Sequence, residues 1–233
     1  MNEELSQSNN MEENIVVKKC GKLSLYFGIE QGTQEWLDLR EGKITCSNAK
    51  TLLYRGKNAC LAANSRAADR LRPNGNKYAE RGHVIEHEVK QEFNELLERA
   101  GLRILDCTFV TNSDYPSAGY SPDGLIVDLE EGDDPVLASR FIPLEVKAYN
   151  DYVDRKGEKV YVGKHTKAVE DMKNIPLDAV YQMQMEMLMT ESDVVFLLLA
   201  NPECDDTTKR VKLWEVHRDE EIIGRLKEML SKE

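Results

Sequence analysis

An α/β (α+β) fold, with a mixed central sheet flanked by helices, is what this sequence predicts, on three observations. Apolar residues recur at three- and four-residue steps over 77–100; strand-like runs follow at 103–111, 124–129 and 140–148; and a helix, two strands and a last helix close the chain over 177–232. A chain of 233 residues can bury one sizeable core, and nothing in its composition forces a second domain.

Taken in order, residues 1–22 are rich in Asn, Ser and Glu and are expected to be a disordered or loosely attached tail, with 23–233 as the single domain. Residues 33–41 read as a short helix carrying Trp36, Leu37 and Leu39, stopped by Gly42. A second helix is expected to start at Ser47, a good N-cap residue ahead of Ala49, Leu52 and Leu53. In the long helix the stripe is Ile85, Val89, Phe93, Leu96, Leu97 and Ala100, and Gly101 supplies the stop. The acidic run 130–135 sits between two strands as a hairpin loop would. Segment 151–176 is polar and Lys-rich with weak periodicity, and reads as loop plus a short helix. A helix at 177–190, strands at 194–200 and 210–217 and a helix at 219–232 complete the chain.

Composition narrows the function classes. Charged residues make up 31% and hydrophobic ones 41%, a normal balance for a soluble globular protein. No stretch approaches the ~20 apolar residues that span a bilayer, and the N-terminus is acidic and polar, so neither membrane insertion nor export is expected. The cysteines, Cys20, Cys46, Cys60, Cys107 and Cys204, are odd in number, scattered and never spaced as CxxC, which predicts reduced thiols in the cytoplasm and no structural zinc. A net charge of −11 argues against a protein that coats DNA through Lys and Arg. A basic channel on an acidic body is still possible, and residues 55–81 hold seven Lys and Arg against Asp69 and Glu80. A plain solvated face is the competing account of that stretch.

The chemistry centres on Ile-Pro-Leu-Glu-Val-Lys at 142–147. In a strand, Glu145 and Lys147 project from the same side. A carboxylate that holds a divalent metal, beside a lysine that orients or deprotonates water, suits phosphodiester hydrolysis. Alone, such a tripeptide is usually a surface ion pair. Upstream, Tyr120-Ser121-Pro122-Asp123-Gly124 is a turn that starts the preceding strand at Asp123. If the two strands pair, Asp123 and Glu145 converge on one Mg²⁺; otherwise Asp123 only supports the turn. Glu86 borders the buried helical stripe and needs a partner such as a metal or lysine. Gln184 lies on an apolar helix face with Gln182 at its edge, either of them a site amide or hydrogen-bonded core.

The ordered set Gly82-x-x-x-Glu86, Ser121-Pro122-Asp123-Gly124, Leu144-Glu145-Val146-Lys147 and Tyr181-Gln182-Met183-Gln184 resembles the PD-(D/E)xK nuclease superfamily. More narrowly, it is similar to the phage lambda exonuclease (YqaJ-type viral recombinase) family, whose opening motif also fits Trp36, Arg40 and Ile44-Thr45-Cys46-Ser47. The resemblance implies a restriction-endonuclease-like core and a 5′-to-3′ exonuclease that resects linear double-stranded DNA. It implies that Asp123, Glu145 and the carbonyl of Val146 bind Mg²⁺, with Mn²⁺ able to substitute. Lys147 and Gln182 would position the attacking water, with Gln184 nearby, and Glu86 would support a second metal or its waters. Arg40, Ser47 and Ser121 would grip the 5′-terminal phosphate. The implied partners are duplex DNA ends, a single-strand annealing protein and further copies of the chain in a trimeric ring, in the cytoplasm of a bacterial host. The long insert between Lys147 and Gln182, and the acidity, depart from the pattern.

Two competing readings remain. His83-Val84-Ile85-Glu86-His87 is a literal HxxEH, the pattern of a zinc metalloprotease. The other is a non-catalytic DNA-binding module on the nuclease fold; the intact motif positions speak against it.

Overall fold

The computed structural model describes residues 15–70, 77–130, 132–148, 150–153, 159–162, 175, 177–200 and 211–231, with backbone alone at 65–70, 77–85, 148, 150–153 and 159–162. The elements are β1 (Val16–Cys20), β2 (Leu23–Phe27), α1 (Gln34–Arg40), β3 (Ile44–Thr45), α2 (Ala49–Arg55), α3 (Lys57–Arg70), α4 (Lys77–Glu98), β4 (Arg103–Leu105), β5 (Phe109–Asn112), β6 (Ala118–Gly119) and β7 (Gly124–Val127). They continue with β8 (Ile142–Ala148), β9 (Asn150–Val153), β10 (Lys159–Val162), α5 (Leu177–Thr190), β11 (Val194–Ala200), β12 (Val211–His217) and α6 (Glu220–Ser231).

The main sheet has the order β12-β11-β8-β7-β4. Val194–Ala200 is apolar at every position, as befits a strand covered on both faces, and it pairs parallel with β8 and antiparallel with β12. Parallel pairing needs a crossover, and α5 supplies it. On one face of the sheet, Val89, Phe93 and Leu97 of α4 pack on Ile126, Leu144, Val146 and Leu198. On the other, Ala179, Met183 and Met187 of α5 meet Val195, Leu197, Leu199 and Val216. The opposite flank of α5, Tyr181, Met185, Leu188 and Met189, packs on Leu52 of α2 and on Ile223, Leu226 and Leu230 of α6. A helix enclosed on both flanks has to be apolar nearly all round, which explains its run of methionines. Each such side chain contributes roughly 1.5–3 kcal/mol when fully buried.

Most expected elements stand where the pattern put them. Thr33 caps α1 through the Trp36 N–H at 3.3 Å, and Gly42 (φ +67°) and Gly101 (φ +69°) adopt the left-handed conformation just past their helices. Several do not. β1, within the expected tail 1–22, is an edge strand paired with β2, and residues 1–14 lie outside the described residues. Ser47 sits within a 3-10 turn, Cys46–Asn48, and α2 begins at Ala49 with Asn48, not Ser47, in the position before it. The run 103–111 is two strands in two sheets: β4 pairs with β7, whereas β5 joins β1 and β2. Alternation breaks between them because Cys107 and Thr108 are both buried where the chain passes from one sheet to the other, Thr108 donating to the Ile29 carbonyl at 2.6 Å. Leu96 is 58% exposed and not part of the α4 stripe. Segment 151–176, expected as loop plus a short helix, includes most of a hairpin, β9 with β10, and the buried Ile175; its other residues lie outside the described ones.

The four described cysteines are free. Among the described residues no helix is long and apolar enough to cross a membrane.

Candidate active site

β7 and β8 pair antiparallel, with Gly124 opposite Leu144. One step further along that register sets Asp123 across from Glu145, and Asp123 Oδ2 accepts from the Val146 N–H at 2.7 Å. Close approach is possible because residue 124 is glycine: a Cβ there would lie 2.7 Å from Ile104 Cγ2 and 3.4 Å from Leu144 Cδ2. Glu145 is 2% exposed, and its Oε1 is in direct contact with the Lys147 ammonium, so the pair shares one face of the strand as the alternation predicts. Val146, between them, points the other way into the α4 core.

Acids dominate the surroundings. Burial, then Glu145, then Glu86, hold the Asp123 carboxyl well above its ordinary range. Burial alone would push the Lys147 ammonium down, but Glu145 and Asp123 more than offset it and keep it above its usual value. Glu86 also lies 3.9 Å from Lys90 on its own helix. A half-buried carboxylate, Asp123, and a buried one, Glu145, that repel each other, with an amine alongside, suit a hard divalent cation, which takes one or two carboxylates and completes its shell with water and phosphate oxygens. Among the described residues no group of three or more His, Cys, Asp or Glu is placed to hold a metal ion by itself. Asp123 and Glu145 fit a hard divalent cation that takes oxygen ligands. Of the HxxEH pair, His87 is exposed and the side chain of His83 lies outside the described residues.

The two glutamines separate. Gln182 is half-buried and its Nε2 donates to Glu186 Oε1 at 2.8 Å. Gln184 is spent on the backbone: Nε2 donates to the His217 carbonyl at 2.9 Å and Oε1 accepts from the Asp219 N–H at 2.8 Å. Glu186 itself was missed by sequence reasoning. It is fully buried, burial followed by Glu145 holds its carboxyl well above the usual range, and its Oε2 has no hydrogen-bond donor in reach. A signal was available, since one acid in the run Met185-Glu186-Met187 of an otherwise apolar helix must meet something polar.

Beside this cluster lies a second one. Ser121 Oγ accepts from Arg40 Nη1 and from Trp36 Nε1, both at 3.1 Å, and the guanidinium sits 4.1 Å from the centre of the Trp36 ring. Burial lowers Arg40 to about 10, and among the described residues no carboxylate pairs with it. A desolvated cation facing only a hydroxyl and an aromatic ring is a natural seat for an anion. Ser47 is exposed, and its hydroxyl is 3.1 Å from that of Thr45, which belongs to a network with Asn48 and Asn64. The basic stretch 55–81 lies largely outside the residues with described side chains.

A mixed sheet with α4 on one face and α5 on the other, carrying Asp, Glu and Lys on two neighbouring strands, is a restriction-endonuclease-like core. The chain belongs to the YqaJ-like viral recombinase domain family, whose pattern matches residues 35–193. Among solved structures it is similar to LHK-Exo in complex with dAMP, with 18% identity, a TM-score of 0.57, and coverage of 85% of this chain and 89% of that one. The alkaline exonuclease LHK-Exo from Laribacter hongkongensis matches at 19% identity and a TM-score of 0.55, over 85% and 89%. A phage related exonuclease from Haemophilus somnus matches at 17% identity and a TM-score of 0.47, over 84% and 93%. No curated protein matches the chain.

Proposed function

We propose that this protein is a divalent-metal-dependent DNA exonuclease that digests linear duplex from the 5′ end. One observation carries the reading: Asp123 and Glu145 meet across paired strands with Lys147 against Glu145. Family membership and a fold shared with an alkaline exonuclease support it.

Asp123, Glu145 and the Val146 carbonyl would hold Mg²⁺, or Mn²⁺ in its place, and the ion would polarise the scissile phosphate and lower the pKa of a bound water. Lys147 holds Glu145 in place and keeps a proton-bearing amine beside the reacting phosphate, where it stabilises developing negative charge. Gln182, rather than Gln184, orients the attacking water, because Gln184 is committed to His217 and Asp219. Glu86 adds a carboxylate from α4 for a second ion or its waters. Arg40 and Ser121, with Ser47 at the rim, take the 5′-terminal phosphate and so set direction: a phosphate anchored there places the next phosphodiester at the carboxylates. Resected duplex exposes a 3′ single strand, the substrate of a single-strand annealing protein, and a trimeric ring would keep the enzyme on its track. The setting is the cytoplasm of a phage-bearing bacterium.

The test is digestion of a duplex labelled at one 5′ end or one 3′ end, with Mg²⁺ or EDTA. Release of label as mononucleotide from the 5′ end in Mg²⁺ alone is the expected outcome. Metal-independent cleavage, or label lost first from the 3′ end, overturns the assignment.

A further inference from the structure

Glu186 is a carboxyl with 0% exposure between Met185 and Met187, which are equally buried. Packing gives no reason for an acid there, since a buried oxygen without a donor costs about 1–3 kcal/mol relative to an apolar group of the same shape. Two contacts tie it to the site. Its Oε1 accepts from Gln182 Nε2 at 2.8 Å, one helical turn back, and its carboxyl lies against that of Glu145. Lys147, Cys46, Tyr120 and Asp123 are among its other polar neighbours, and the Tyr120 hydroxyl, like Glu186 Oε2, is buried without a hydrogen-bond partner among the described residues.

We propose that Glu186 is a positioning residue of the cleavage centre: it turns the Gln182 amide so that its carbonyl oxygen faces the open side, and it fixes the Glu145 carboxylate from behind. This rests on the hydrolase reading above. Gln182 is half-buried and Glu186 wholly so; their hydrogen bond therefore draws the amide nitrogen inward and leaves the carbonyl oxygen outward. A free amide could flip and present NH₂, a donor, where a water about to lose a proton needs an acceptor. Glu145 touches the Lys147 ammonium and, separately, the Glu186 carboxyl. Partners of this kind orient the groups that hold a metal, and removing them weakens metal binding as well as turnover.

The experiment uses the full chain with Glu186→Met, Glu186→Gln, Glu186→Asp and Gln182→Ala. Mn²⁺ binding is followed by calorimetry without DNA, and kcat and KM are measured on duplex ends. Glu186→Met is expected to weaken Mn²⁺ binding and lower kcat by roughly tenfold or more, with KM for DNA little changed. Glu186→Gln recovers most of both losses, because its carbonyl still accepts from Gln182 and its NH₂ donates to Glu145. In the double variant Gln182→Ala/Glu186→Met, kcat falls by less than the product of the two single effects, as expected of residues acting together. Wild-type Mn²⁺ affinity and kcat in Glu186→Met overturn the proposal, and so does a Gln variant as impaired as the Met variant. Should the Met variant not fold, Asp and Gln decide: Asp, too short to span the contact to Gln182, loses activity that Gln retains, and equal behaviour overturns the idea. A wild-type protein that neither binds Mn²⁺ nor cuts DNA overturns the hydrolase reading itself, a failure distinguishable from an inert Glu186.

Discussion

Replacing Asp123 by Asn removes one negative charge and keeps an oxygen that can accept from the Val146 N–H. In the metal-free protein that charge is a liability, because burial, Glu145 and Glu86 all oppose ionisation of Asp123. A like-charge contact at about 4–6 Å costs roughly 3–4 kcal/mol at an effective dielectric of ~20. Solvent screening at a partly open site reduces this to on the order of 1–2 kcal/mol. For a chain of this size each kcal/mol moves Tm by about 2–4 °C, so Asp123→Asn should melt roughly 2–8 °C higher than wild type in EDTA. The sign with pH follows from the direction of the shift. A carboxyl raised in the folded state contributes stability that is complete below its ordinary value, about 4, and is lost as pH climbs through the raised one. The variant's advantage should therefore widen from pH 5 to pH 9. Divalent metal reverses the order: Mn²⁺ at 100 times its Kd stabilises wild type by about 2.7 kcal/mol and the variant by far less. Thermal melts across pH, with EDTA or Mn²⁺, read all of this. A variant that melts below wild type in EDTA at every pH, or that gains as much from Mn²⁺, refutes the reasoning.

Three further expectations concern other residues. Lys147→Ala should lower kcat by about 10²-fold or more while leaving the circular dichroism spectrum unchanged, and wild-type turnover would remove the lysine from the mechanism. Arg40→Ala should impair digestion of 5′-phosphorylated ends by roughly 10- to 100-fold, the loss of one charge-assisted contact, and spare 5′-hydroxyl ends; equal losses on both ends count against a phosphate seat. Gly119→Ala would place a Cβ 2.1 Å from Phe109 Cζ, in a ring that is 1% exposed, and should cost about 1–3 kcal/mol. An unchanged Tm would show that the Phe109 ring moves aside freely.

Long periodic elements were legible in the sequence because burial on one face imprints itself every three or four residues, as Val89, Phe93 and Leu97 show in α4. The meeting of Asp123 with Glu145 was legible as a conditional, since a turn, a strand and a loop imply a hairpin without fixing its register. Short elements left little trace. β3 and β6 are two residues each and owe their pairing to contacts far apart in sequence, and the side-chain cap expected of Ser47 gave way to a 3-10 turn in which Thr45, Asn48 and Asn64 share the hydrogen bonds. Gln182 and Gln184 looked alike because both border apolar positions. Only the tertiary partners tell them apart: a buried acid for one, the β12–α6 junction for the other.

That junction has a further consequence. The family pattern ends at residue 193, yet Gln184 is clamped between His217 and Asp219, and α6 packs on α5 through Ile223, Leu226 and Leu230. The C-terminal hairpin and helix thus act as a buttress that sets the axial position of the helix bearing Gln182 and Glu186. Cutting the chain back to the shared pattern would leave α5 without its support at Gln184 and along its α6 flank.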